Sequence, residues 1–263
     1  MRHDDTALTE KIHHKPIDEK DRKTDKRLIY ALMPMRCVMF LIVFLSASAI
    51  TGRGYDSLCG IWSPTATCVN ILTIIILMLY ARRNGMTFTE LIHLRKGQSK
   101  AGRFLIVSAI TVVSGMALLY AAGYICYGSI MPPVSLRIMS PVPAALAAAN
   151  LLLLPLTTAL AEDGLYLGTG TGHLKGITAI VLPSLFYAMQ HGFIPFMPDL
   201  RYFIYRVISF LPLTVAFCLY YRKTKDILPL MTGHILLDLA TSSGILAMSA
   251  IPGLYEQMQT MIT

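Results

Sequence analysis

The chain has little charge for its length. Of its 263 residues, 14% are charged and 54% are hydrophobic, and the mean hydropathy is +0.57. A soluble domain of this size needs more charge than this to cover its surface. The apolar residues form blocks that approach the roughly 20 residues needed to cross a bilayer. We therefore expect one membrane domain and no separate soluble domain.

Several common signals are also missing from the sequence. The first 27 residues are hydrophilic, unlike a cleavable signal peptide, and predict a disordered basic cytosolic tail. The first apolar block is then expected to act as an uncleaved anchor. No internal repeat is visible, which weakens the interpretation as an inverted-repeat transporter. The glycine-rich segment 168–172 lacks the lysine of a phosphate-binding loop and predicts a flexible internal loop.

The positive charge follows membrane topology rather than a nucleic-acid surface. The formal net charge is +8, but 18 of the 23 Lys and Arg residues fall in the tail and in alternate loops on one predicted side. Only Arg53, Arg137 and Arg201 fall on the other side. Such a bias predicts a cytosolic N-terminus in a multi-pass protein of the cell membrane. We expect membrane lipids as partners and no nucleic acid.

The apolar blocks predict an all-α polytopic transmembrane helical bundle of about eight helices. A tail at 1–27 precedes the helical domain at 28–263. The predicted blocks are 28–50, 67–81, 104–127, 143–168, 177–196, 203–221, 227–240 and 244–258. The last block is the weakest of the eight.

Ionisable side chains interrupt three of these blocks. Placing an ionisable group within a bilayer costs at least a few kcal/mol of free energy, so each such residue suggests a functional or structural role. Glu162 and Asp163 are adjacent, about 100° apart on an α-helix, so that one is expected to face the bundle and the other a neighbouring helix or a polar cavity. His191 lies in the next block, and His234 and Asp238 share one face of a later helix.

These residue types can perform hydrolysis. A carboxylate beside an imidazole can take a proton from water, and a second imidazole can stabilise an oxyanion. The same groups can instead hold a divalent metal such as zinc, which would polarise a carbonyl group. A proton relay in a transporter, or polar packing in a scaffold, is the alternative from a different class.

The motifs resemble those of the CAAX protease and bacteriocin-processing family of intramembrane proteases, also called the Abi family. That family carries Glu-Glu-x-x-x-Arg, then Phe-x-x-x-His, then His-x-x-x-Asn/Asp on successive helices. The matching segments here are Glu162 to Leu167, Tyr187 to His191 and His234 to Asp238. The resemblance covers about residues 140–240, the expected catalytic core.

The resemblance implies a role for each residue. Glu162 would activate water with help from His191, while His234 and Asp238 would stabilise the oxyanion. Alternatively, these four residues would form a metal site. Asp163 and Tyr187 would support them. Leu167 stands where the family has Arg, so the cation that would steady the acidic pair is missing.

The expected function is therefore intramembrane hydrolysis of peptide bonds in a membrane-associated peptide or protein. Peptide processing and bacteriocin self-immunity are the roles that the resemblance suggests. A non-catalytic scaffold or immunity protein, or a proton-coupled transporter that keeps the same fold, is the alternative.

Overall fold

The computed structural model describes residues 26–94 and 100–262, so nearly all of the predicted tail at 1–27 lies outside it. The regular elements of the described residues are helices, which confirms the all-α prediction. The α-helices are α1 Lys26–Leu32, α2 Met35–Thr51, α3 Tyr55–Leu58, α4 Trp62–Arg83, α5 Phe88–Leu91, α6 Ala101–Tyr127, α7 Ala144–Thr158, α8 Thr178–Gln190, α9 Leu200–Thr224, α10 Leu228–Ala250 and α11 Leu254–Ile262. Short 3₁₀-helices occupy Cys59–Ile61 and Pro133–Met139, and a π-helix, Ala159–Thr171, continues α7.

Within the described ranges, six segments are long and apolar enough to cross a membrane, and α8 is a shorter apolar helix. The predicted count of eight is not confirmed. The break expected after residue 240 does not occur, because α10 continues to Ala250. Thr241 and Ser242, inside α10, donate hydroxyl hydrogen bonds to the carbonyl groups of Leu237 and Asp238, four residues earlier. The end of the last predicted block belongs instead to the short helix α11, which has no buried residue.

The π-helix lies at the centre of the bundle. It packs against α4, α7, α8, α9 and α10, and every residue from 161 to 171 is buried. Its wider winding follows i→i+5 hydrogen bonds, which are rare and frequently lie at functional sites. The Thr169 hydroxyl group reinforces this winding by donating to the carbonyl oxygen of Gly164, five residues earlier, across 3.0 Å.

The glycine-rich segment 168–172 is not the flexible loop that the sequence suggested. Residues 168–171 are buried in the π-helix. A Cβ atom on Gly168 would lie 2.7 Å from Ile92 Cα, and one on Gly170 would lie 2.8 Å from Pro183 Cγ. The glycines therefore provide space for close packing rather than chain flexibility.

A similar close approach holds α10 beside α6. A Cβ atom on Gly233 would lie 2.5 Å from Thr111 Cβ. Small residues at such crossings let helices in membranes pack backbone to backbone. Because His234 follows Gly233 directly, this contact sets the position of one of the predicted site residues.

Candidate active site

Glu162 and Asp163 both face the interior, although the sequence suggested that they would diverge. Their exposed fractions are 2% and 0%. Both carboxylates reach the ring of His234: Glu162 Oε2 lies 3.9 Å from Nε2, and Asp163 Oδ2 lies 3.5 Å from Nδ1. Both side chains meet protein because the π-helix packs against α4, α7, α8, α9 and α10, and its winding turns adjacent residues by somewhat less than the 100° of an α-helix.

His191 lies just after the last residue of α8, in the turn that ends this helix. Its Nδ1 is 2.9 Å from the carbonyl oxygen of Tyr187. Since a carbonyl group only accepts hydrogen bonds, Nδ1 carries the proton and Nε2 keeps its lone pair. That lone-pair nitrogen lies 3.9 Å from Glu162 Oε2. The ring stacks on Phe210 with a centroid separation of 3.6 Å, which holds its plane.

His234 is oriented through Tyr187. The Tyr187 hydroxyl group donates to Asp163 Oδ1 across 2.6 Å and lies 3.0 Å from His234 Nδ1. Because the hydroxyl proton is engaged by Asp163, the Tyr187 oxygen accepts from Nδ1–H. The Tyr187 ring is itself stacked on Tyr166, with the centroids 4.8 Å apart.

Asp238 completes the set predicted from the sequence. Its Oδ2 lies 3.6 Å from His234 Nε2, one helical turn along α10. The side chain is 26% exposed, more than any other member of the site. Three carboxylates thus lie within 3.9 Å of the His234 ring, an arrangement that favours a positively charged imidazolium.

Two carboxylate oxygens of the site have no hydrogen-bond partner, Glu162 Oε2 and Asp163 Oδ2, and Glu162 Oε2 lies between the two imidazole rings. Glu162 Oε2 is buried and unpaired, with the Nε2 atoms of His191 and His234 each 3.9 Å away. Buried polar atoms of this kind normally bind a protein group or an ordered water. The separation is too long for direct hydrogen bonds but suits a water that bridges the carboxylate and an imidazole.

The other oxygen of Glu162 binds a residue whose role the sequence interpretation missed. Arg36, from α2, donates through Nη2 to Glu162 Oε1 across 2.8 Å. The same guanidinium group donates to three further side chains on two other helices: Asn70, Thr73 and Gln190. The only sequence signal for Arg36 is that it is a charged residue inside an apolar block. A local sequence pattern cannot indicate that its partner is Glu162, 126 residues away.

The predicted motif residues therefore converge. The structure brings together all six of them, namely Glu162, Asp163, Tyr187, His191, His234 and Asp238. Gln190, which was not predicted, joins this set by binding both Arg36 and the Tyr166 hydroxyl group. Arg206 supports the turn at His191 by donating to the carbonyl oxygens of His191 and Ile194.

The donor atoms do not fit a tetrahedral metal ion as they lie. Two ligands of a tetrahedral zinc ion lie about 3.4 Å apart, whereas Glu162 Oε2 is 3.9 Å from each imidazole Nε2. No group of three or more metal-binding side chains in the described part of the chain has suitable geometry. Arg36 also places a positive charge directly on Glu162, which opposes a second cation there.

Comparison with protein families gives a match over the helices that carry the site residues Glu162 to Asp238. The family model for the type II CAAX prenyl endopeptidase Rce1-like proteins matches residues 144–240. This match confirms the resemblance inferred from the motifs and supports a CAAX-type protease in a multi-pass membrane protein. No curated protein and no solved structure matches the chain. Helices α1 to α6 lie outside the matched region, and so does Arg36.

Proposed function

We propose that this protein is an intramembrane endopeptidase that hydrolyses a peptide bond of a membrane-associated peptide or protein. The observation that carries the proposal is the unpaired Glu162 Oε2, buried between two imidazole nitrogens. A scaffold gains nothing from an unpaired buried carboxylate oxygen, which is costly to maintain. A hydrolase needs such an atom to hold and deprotonate its water.

The two acceptors define the water's orientation. Glu162 Oε2 accepts one hydrogen atom of the water and His191 Nε2 accepts the other, so that a lone pair of the water oxygen faces the substrate carbonyl carbon. As the C–O bond forms, Glu162 takes a proton from the water. Glu162 later passes this proton to the leaving amine as the C–N bond breaks, and the products are a carboxylic acid, which keeps the second hydrogen atom of the water, and an amine.

His234 stabilises the oxyanion of the tetrahedral intermediate. Its Nδ1–H is engaged by Tyr187, so donation to the substrate must come from Nε2–H of the imidazolium. Asp238 and Asp163 support this positive charge from opposite sides of the ring. This assigns Asp238 an electrostatic role, because an ionised carboxylate cannot itself donate to an oxyanion.

An apolar cavity beside the site suits a membrane-associated substrate. The cavity has a volume of about 520 Å³ and lies between α6, α9 and α10. Its lining includes Leu213, Phe217 and Leu230. The ring of Phe217 makes an edge contact with Tyr187 at a centroid separation of 6.5 Å, which connects the cavity to the catalytic residues. We propose that an apolar segment of the substrate lies here during cleavage.

The physiological role we propose is the processing of a membrane-bound peptide or a lipid-anchored protein. The maturation of a secreted peptide and self-immunity against a bacteriocin are both consistent with such a reaction. The support for this role is the family resemblance together with the location of the site among helices long and apolar enough to cross a membrane.

The test compares new peptide termini in cells that express the wild type or Glu162→Gln at matched levels. We expect termini that appear with the wild type and are absent from Glu162→Gln. Glu256→Gln is the matched control, because it makes the same change on the exposed helix α11 and should leave the termini unchanged. Identical termini from the wild type and Glu162→Gln would remove the protease proposal and favour the scaffold or transporter.

A further inference from the structure

Arg36 is the most deeply buried cation beside the site. Its side chain is fully buried, with an exposed fraction of 0%, and it lies in a helix long and apolar enough to span a membrane. A buried guanidinium group is costly unless its donors are paired. Here Nε donates to Gln190 Oε1 across 2.5 Å, Nη1 to Thr73 Oγ1 across 3.1 Å, and Nη2 to Asn70 Oδ1 and Glu162 Oε1 across 2.8 Å each. These bonds involve all three nitrogens.

The four bonds join the elements that carry the reacting groups. Glu162 belongs to the π-helix, and Gln190 directly precedes His191 at the end of α8. By binding both Glu162 and Gln190, the guanidinium group sets the distance between the carboxylate and the imidazole that would share the water. Asn70 in turn donates to Thr158 across 2.8 Å, at the junction of α7 with the π-helix.

The bond also selects which oxygen of Glu162 is available. Arg36 binds Oε1, while Oε2 remains unpaired and faces His191 and His234. A carboxylate held on one side by a fixed cation has little rotational freedom left. Its free oxygen is therefore kept in the orientation that a bridging water needs.

No residue of the Glu162 helix can supply this cation. The position where the family motif carries Arg is Leu167, which is fully buried among apolar side chains. Arg206, the other buried arginine in the described segments, donates to the carbonyl oxygens of His191 and Ile194 and not to a carboxylate. The cation that contacts Glu162 comes from α2.

We propose that Arg36 is the positioning residue for Glu162, and that it supplies from the first membrane-spanning helix the cation that the motif lacks at Leu167. This inference rests on the proposed protease function. It makes α2, which lies outside the matched region 144–240, a required part of the active site. Arg36 itself touches neither the water nor the substrate.

The activity test follows the rate at which wild-type-specific peptide termini appear in isolated membranes at matched enzyme level. Arg36→Gln should lower this rate about 100-fold, because a small misplacement of a catalytic group can cost that much. Arg36→Lys keeps the charge and should recover part of the rate, which a purely structural role would not require. Thr67→Val is the control. Thr67 lies in α4, like the Arg36 partners Asn70 and Thr73, but its buried hydroxyl group bonds Asn150 and not Arg36.

A second measurement does not depend on activity. Thermal unfolding in detergent is compared for Arg36→Gln, Glu162→Gln and the double variant. Arg36→Gln should lower the melting midpoint by several degrees when Glu162 is present and by much less in the Glu162→Gln background, because the unpaired carboxylate is then gone. Equal shifts of the melting midpoint in both backgrounds would mean that Arg36 and Glu162 do not stabilise each other, and the positioning role would then be wrong.

The outcomes separate the two proposals. If Glu162→Gln abolishes the new termini while Arg36→Gln keeps the wild-type rate, the positioning role is wrong and the protease remains. If Arg36→Lys is as slow as Arg36→Gln while both fold normally, the positive charge is not what matters and the positioning role falls. If the wild type produces no termini that Glu162→Gln lacks, the protease function fails and the positioning role fails with it.

Discussion

The hydroxyl group of Tyr187 links the two ionisable halves of the site, donating to Asp163 Oδ1 across 2.6 Å and accepting from His234 Nδ1 across 3.0 Å. Asp163 therefore acts on His234 both directly and through Tyr187. The family motif has Phe at the position of Tyr187, so this hydroxyl group is a feature of this chain rather than of the motif.

Tyr187→Phe should lower the cleavage rate without abolishing it. The substitution keeps the ring stacked on Tyr166 but leaves Asp163 Oδ1 and His234 Nδ1 without their partner. Leaving a buried polar group unpaired costs about 1–3 kcal/mol, so we expect a rate about tenfold lower. The measurement is the appearance of wild-type-specific termini at matched protein level. Full wild-type activity would mean that His234 does not need this orientation.

Much of this site could be predicted from the sequence because its residues follow two local patterns. Tyr187 with His191, and His234 with Asp238, are one helical turn apart, and their cost inside a bilayer makes them conspicuous. The contribution of Arg36 could not be predicted in this way. Its partners Asn70, Thr73, Glu162 and Gln190 are set by helix packing, and no spacing within one helix points to them.

The fold, like the site, could be predicted only in part from the sequence. Apolar blocks located most helices, but the π-helix has no side-chain signature, since i→i+5 winding is a property of the backbone. The glycine-rich composition of segment 168–172, without the lysine of a phosphate-binding loop, predicts a flexible loop. In this protein the glycines serve the close approach of Ile92 and Pro183 instead, a tertiary contact that composition does not reveal.

Gly168→Ala tests whether that close approach is required. The added Cβ atom would lie 2.7 Å from Ile92 Cα, and a backbone atom cannot move away as a flexible side chain can. We expect a loss of about 1–3 kcal/mol of stability, measured as a lower melting midpoint in detergent. Gly172→Ala is the control, because its Cβ atom would meet only ordinary contacts starting at 3.4 Å. Equal midpoints for the two variants would contradict close packing at Gly168.

Removal of metal ions should leave activity in place. The donor atoms around Glu162 Oε2 are too far apart for a tetrahedral ion, and Arg36 already neutralises this carboxylate. We expect membranes dialysed against a strong chelator to produce the same termini at the same rate. Elemental analysis of the purified protein should find much less than one zinc ion per chain. Loss of cleavage that added zinc restores would instead make Glu162, His191, His234 and Asp238 a metal site.

The cavity between α6, α9 and α10 can be tested by filling it. Ala216 lines the cavity and is exposed, so Ala216→Phe places a ring in the cavity without entering the core. If an apolar segment of the substrate lies there, the variant should cleave more slowly while it accumulates normally, and a higher substrate level should restore the rate.

Ala121→Phe provides the comparison for this variant. Ala121 is an exposed residue of α6 that does not line the cavity, so the added ring contacts only the surroundings of the helix. Its cleavage rate should equal that of the wild type, measured from the same termini. If Ala216→Phe also cleaves at the wild-type rate, the substrate reaches Glu162 by another route. The proposed role of Phe217 in connecting the cavity to Tyr187 would then be wrong, while the assignment of the catalytic residues would stand.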